Sequence, residues 1–246
     1  MSHPTSHPAG RPAAAGAPPA ARQYVNFTFY KMDPAWRRLP EAERAAGRQE
    51  AAAALAPFSS SVITLPYSTF GFRPETDFFL WRISYRLEDF EEMSAALHRT
   101  KLGGYLHTPH AFLSQSKRST YVDKLNPEHE GQRTKIQPGR YKYIFVYPFV
   151  KTREWYLLPM EERQKMMDEH IMVGNRFPSV KLNTTYSFGL DDQDFVVAFE
   201  SDHPSDFLDL VMALRETQAS RHTVRDTPLF TGVRRSLEET LNLVAG

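Results

Sequence analysis

One half of this 246-residue chain is a variation on the other. Trp36-Arg-Arg-Leu39-Pro40-Glu-Ala-Glu-Arg44 returns as Trp155-Tyr-Leu-Leu158-Pro159-Met-Glu-Glu-Arg163, 119 residues later. Phe70-Gly71-Phe72 ahead of Asp77-Phe78 returns as Phe188-Gly189-Leu190 ahead of Asp194-Phe195. Asp89-Phe90, Leu97 and Thr100 return as Asp206-Phe207, Leu214 and Thr217, 117 residues later. Several spacings that agree at once mark an internal repeat, and a repeat confines the fold to one assembled from two like units. Each unit reads strand, helix, strand, strand, helix, strand, the order of a ferredoxin-like unit. The expected class is α+β: two tandem ferredoxin-like repeats whose sheets merge into a dimeric α+β barrel-like subunit.

The pattern divides the chain. Residues 1–22 are Pro, Ala, Gly, His and Ser with almost nothing to bury, and read as a disordered tail. Residues 23–116 form the first half. Val25, Phe27 and Phe29 alternate as a strand, and Asp33-Pro34 opens a helix expected to run from about Ala35 to Leu55. Residues 117–139 are polar, with Pro127, Gly131, Pro138 and Gly139, and read as a long connecting loop. Residues 140–246 form the second half. There Tyr141 to Tyr147 reads as a strand that stops before Pro148, and Met160 to Gly174 as a helix.

Composition removes whole classes of chemistry. There is no cysteine, hence no disulfide, no thiolate metal site and no cysteine nucleophile. The net charge of +1 and the scattered basic residues give no argument for a nucleic-acid or membrane-surface partner. No apolar run approaches the roughly 20 residues that span a bilayer. The chain reads as soluble and cytoplasmic.

The second half carries polar groups that the first does not repeat. Met166, Met167, His170, Ile171 and Gly174 share one helical face, so His170 lies on the apolar side. A histidine there is either satisfied within the core or functional. A residue kept for packing should recur in the repeat, yet the position matching His170 is Ala51. Tyr147 and Lys151 have only loose counterparts near Tyr30 and Lys31. That asymmetry brings a functional His170 level with a packing one.

At these residues the sequence resembles the chlorite dismutase-like superfamily of haem proteins, and within it the coproheme decarboxylases. The likeness is carried by Tyr147-Pro-Phe-Val-Lys151, Trp155-Tyr-Leu-Leu-Pro159, Glu161-Glu-Arg163, Glu169-His170, and Thr184 through Gly189-Leu-Asp-Asp192. Leu214-Arg215-Glu216, Ala219-Ser220-Arg221 and Pro228-Leu-Phe-Thr-Gly232 add to it.

The resemblance implies hydrogen peroxide-dependent oxidative decarboxylation of iron coproporphyrin III to haem b, the pigment being substrate and redox cofactor at once. It implies His170 as the axial iron ligand, Tyr147 as the oxidising radical and Lys151 beside a propionate. A neutral imidazole suits haem iron, and a phenol can pass one electron with one proton. Arg133, Arg215 and Ser220 are candidates for the other propionates, because guanidinium and hydroxyl donors suit carboxylates. Trp155 matches a tryptophan near the haem, although Trp36 repeats it and a packing role fits equally. Leu182 falls in the distal column where chlorite dismutases carry arginine. Leucine cannot stabilise a hypochlorite leaving group, so chlorite chemistry is disfavoured. His129 lies where one branch keeps a distal base. The resemblance also implies a homopentamer and transient contact with a coproporphyrin ferrochelatase. The alternative readings are a non-enzymatic haem carrier or sensor, and a chlorite dismutase or peroxidase.

Overall fold

The computed structural model describes residues 21–121 and 135–246. Nearly all of the tail, together with His129 and Arg133, lies outside the described residues.

Among the described residues nine strands carry the fold: β1 (Tyr24–Met32), β2 (Ile63–Ser68), β3 (Phe78–Ser84), β4 (Leu106–Gln115), β5 (Tyr143–Lys151), β6 (Lys181–Tyr186), β7 (Phe195–Ser201), β8 (Thr223–Arg225) and β9 (Phe230–Arg234). The first half pairs in the order β4-β1-β3-β2 and the second as β9-β5-β7-β6. The two sheets join through β2–β9 and β4–β6, which closes an antiparallel barrel, with β8 alongside β5. The barrel-like α+β expectation holds.

Alternation along the strands sorts side chains to two sides. Phe27, Phe29, Tyr67, Phe79, Trp81, Ile144, Val146, Val196, Ala198 and Phe230 fill the barrel. The other faces meet helices: α1 (Glu41–Leu55) and α2 (Glu88–His98) in the first half, then α3 (Arg153–Leu157), α4 (Met160–Gly174) and α5 (Pro204–Arg215) in the second. The last helix, α6 (Leu237–Ala245), returns to the first half. Its Leu241, Val244 and Ala245 pack with Trp36, Ala51 and Leu55. Among the described residues no helix is long and apolar enough to cross a membrane.

Three expectations need correction. The first helix is not continuous from Ala35. A 3-10 turn covers Pro34–Arg38, Leu39 is extended, and α1 starts after Pro40. Pro40 lacks an N–H and pushes Leu39 out of the helical region. The same corner recurs at Leu158-Pro159 before α4.

Nor does β5 stop at Pro148. It runs to Lys151 and pairs Pro148 with Val196 of β7. The Phe149 carbonyl accepts from Asp194 N–H, so odd-numbered backbone groups of β5 face β7. Pro148 therefore faces the opposite edge. There the ladder is interrupted between Val146↔Phe230 and Val150↔Arg225, and no donor is required.

The counterparts of Tyr147 and Lys151 are not Tyr30 and Lys31. Met32 N–H donates to Asp77 at 2.9 Å, as Lys151 N–H donates to Asp194 at 2.8 Å. Asp77 N–H donates to the Tyr30 carbonyl, as Asp194 N–H donates to that of Phe149. This equivalence sets Lys151 against Met32 and Tyr147 against Thr28.

Candidate functional site

The outward face of β5–β7–β6 in the second half presents three rows, read from the register: Phe145–Phe199–Leu182, Tyr147–Val197–Thr184 and Phe149–Phe195–Tyr186. Phe145, Val197 and Phe199 pack against Phe207 and Leu210 of α5, with Tyr147 and Phe149 at the margin. Leu182 is thus in the row beside Tyr147 rather than opposite it, and is 52% exposed. Thr184 stands opposite Tyr147.

Tyr147 is half-buried, between Phe149 and Phe199 with ring centroids 6.5 and 6.3 Å away. Burial raises its phenol above the ordinary value. The Asp226 charge adds to that and the Arg215 charge opposes it. The phenol is protonated at neutral pH.

Lys151 closes β5. Its ammonium donates to the Ala219 carbonyl at 2.6 Å and lies 4.4 Å from the Trp155 ring centre. Among the described residues it has no carboxylate partner. Burial lowers its pKa to about 8.

His170 projects from α4. Its Nδ1 is enclosed and makes no hydrogen bond. Burial lowers its pKa to about 4, helped by the Lys151 charge and opposed by that of Glu169. The ring is neutral at pH 7 and keeps a lone pair for a metal. Glu169 accepts from the backbone N–H of Gln218 at 2.9 Å. This bond ties the histidine helix to the 3-10 turn Gln218–His222, which supplies the carbonyl that holds Lys151.

The remaining candidates divide. Trp155 is 2% exposed and is the platform under Lys151, with His222 and Tyr121 beyond it at 5.3 and 6.1 Å. Its counterpart Trp36 instead donates its indole N–H to the Ala245 carbonyl. Arg215 ends α5 as an exposed side chain, with Nη2 3.3 Å from Asp226 Oδ2. The Ser220 hydroxyl donates to the carbonyls of Arg215 and Thr217, at the end of α5. A carboxylate would have to displace those bonds.

The residue reading missed two groups. Asp194 holds the Lys151 N–H and accepts from the Tyr156 hydroxyl at 2.8 Å, which ties α3 to β7. The repeat carried this signal, since Asp77 and Asp194 match within it. Asp226 carried no signal, because its place depends on the break in the β5 ladder.

This geometry has relatives. A model of the family described as chlorite dismutase matches residues 42–235. A coproheme decarboxylase of Mycolicibacterium smegmatis is 36% identical over 180 residues, 73% of this chain and 74% of that protein. A chlorite dismutase of Ideonella dechloratans is 26% identical over 227 residues, 90% of this chain and 80% of that one. The structure of a mutant chlorite dismutase from Candidatus Nitrospira defluvii superposes with a TM-score of 0.84 at 28% identity, covering 91% of this chain and 95% of that one. The chain belongs to the chlorite dismutase family.

Proposed function

We propose that this protein converts iron coproporphyrin III to haem b by peroxide-dependent oxidative decarboxylation. The observation that carries the reading is one wall of the second half. A neutral imidazole lies within the field of an ammonium that has no carboxylate partner among the described residues, and a protonated phenol stands on the same strand as that ammonium. A metal-bearing macrocycle with carboxylate arms fits that set. Phe149 and Phe195 would offer rings to its apolar face, and Lys151 a cation to its carboxylate. The 36% identity to a coproheme decarboxylase points the same way.

The bound iron porphyrin supplies the oxidising chemistry once peroxide reaches it. His170 holds the metal through its lone pair. Lys151 orients one propionate, and the Trp155 ring beneath the ammonium keeps it in place. Tyr147 gives up an electron and a proton and recovers both from the propionate side chain. Each propionate, with one peroxide and one proton, becomes a vinyl group, one carbon dioxide and two waters. Arg215 and Arg133 hold the carboxylates that remain, and Ser220 sits at the turn behind Arg215. His129 is the distal base, and Leu182 leaves no cation for chlorite. Assembly as a ring of five in the cytoplasm and receipt of pigment from a coproporphyrin ferrochelatase complete the proposal. Mass spectrometry of the pigment after peroxide addition tests it. Haem b is expected, and unchanged iron coproporphyrin leaves only a carrier.

A further inference from the structure

We propose that Asp226 is an internal stand-in for a substrate carboxylate, holding the Arg215 guanidinium beside Tyr147 until a porphyrin carboxylate replaces it. The inference rests on the porphyrin reading and names a positioning residue for it.

The placement comes from the break in the β5 ladder. Strand pairing ends at Val146↔Phe230 and resumes at Val150↔Arg225. Tyr147, Pro148 and Phe149 therefore face Asp226, Thr227, Pro228 and Leu229 without ladder bonds. Pro148 and Pro228 have no N–H to leave unpaired, so the interruption strands no donor there. Asp226 is the first residue after β8. It stands next to the Val150↔Arg225 pair, at the Phe149 end of the break, and its carboxylate is close enough for its charge to act on the Tyr147 phenol.

Arg215 reaches this carboxylate from the end of α5. The contact is a single Nη2–Oδ2 approach of 3.3 Å, with the side chains 69% and 35% exposed. A guanidinium that meets a carboxylate in a bidentate fork makes two shorter bonds. This pair is longer, one-sided and open to water, which is the geometry of a partner that can be exchanged. Lys151 differs. Among the described residues it has only a carbonyl and two rings, and no acid has to leave it.

An incoming carboxylate must compete with Asp226 for the guanidinium and approach a like charge while doing so. Both effects oppose binding. Removing the Asp226 charge should therefore tighten the site, whereas a residue that merely braces the turn would loosen it when replaced.

The test is binding of metal-free coproporphyrin III, followed by quenching of tryptophan fluorescence, so that neither iron ligation nor turnover enters. Asp226→Asn should bind about fivefold more tightly at low salt, the scale of an exposed ion pair, and the gain should fade as salt is raised. Arg215→Gln should bind more weakly. In the Arg215→Gln background, Asp226→Asn should recover less than half of its gain, since the competed group is gone. Unchanged or weaker binding by Asp226→Asn, with wild-type protein binding normally, overturns the stand-in and leaves the porphyrin reading intact. Wild-type protein that does not bind the porphyrin overturns both.

Discussion

His170 and Ala51 hold the same place in two matching helices, each the eleventh residue of a fifteen-residue segment that starts after a proline. Ala51 is fully buried in a cluster that includes Leu241, Val244 and Ala245 of α6. Among the described residues no second helix of that kind follows the other half to cover α4, where Val173 alone is buried. The first half has closed over the position where the second half presents an imidazole.

The imidazole predicts an acid-sensitive fold. Its folded pKa of about 4 lies below the usual 6.5, so the unfolded chain binds the proton more tightly. Stability is full above about pH 6.5 and falls as the pH drops from there toward 4, by up to about 3 kcal/mol. His170→Ala should remove this part of the slope in apo-protein melting curves. With iron porphyrin added, the same variant should lack the iron–histidine stretch in resonance Raman spectra. A wild-type slope and an unchanged stretch in the variant would show that the histidine is not the ligand.

Lys151→Met installs the residue that the first half already has at this position. It removes a half-buried charge that has no acid partner among the described residues, so the apo protein should be as stable or more stable, by about 1 kcal/mol. The folded pKa of about 8 is below the ordinary 10.5. Wild-type stability should then rise as the pH climbs from about 8 toward 10.5, and the variant should lose that rise. Its affinity for coproporphyrin should fall about tenfold, the loss of one charged hydrogen bond to carboxylate. Calorimetric melting across that range, with a porphyrin titration beside it, checks all three.

Asp77 and Asp194 offer a paired control. Asp77 accepts from Met32 N–H and pairs with Lys31, at 2.8 Å. Asp194 accepts from Lys151 N–H and from Tyr156. Alanine at either should cost about 2 kcal/mol, because a strand-end donor loses its acceptor. Only Asp194→Ala should weaken porphyrin binding, since only that corner carries Lys151. Equal porphyrin affinity in the two variants would remove Asp194 from the site.

The frame was legible because its anchors repeat as residue types. The tryptophan before each Leu-Pro corner, the aspartate before β3 and β7, and the phenylalanine of α2 and α5 all carry the register in letters. The helix Met160 to Gly174 could be read with both ends correct. Pro148 misled, since a proline ends a strand only if its edge needs a donor, and the edge is set by β8 and β9 far along the chain. Lys31 misled for a related reason. It shares a residue type with Lys151, but the backbone bonds of Asp77 assign that place to Met32. β1 also shifts register against β4 between Phe29 and Lys31, which letters do not show. The Asp226 side of the site arises from two distant segments meeting at an interrupted ladder, and no spacing in the sequence encodes that.

In the proposed reaction the Tyr147 phenol performs chemistry on a bound porphyrin. Tyr147→Phe keeps the ring and nearly all the volume between Phe149 and Phe199, so the fold and iron coproporphyrin affinity should change little, by less than about 1 kcal/mol. The direct measurement is the mass of the pigment after a few equivalents of peroxide, wild type against Tyr147→Phe. Haem b is expected from wild type and unreacted iron coproporphyrin III from the variant. Haem b formed by the variant at the wild-type rate would contradict a chemical role for the phenol.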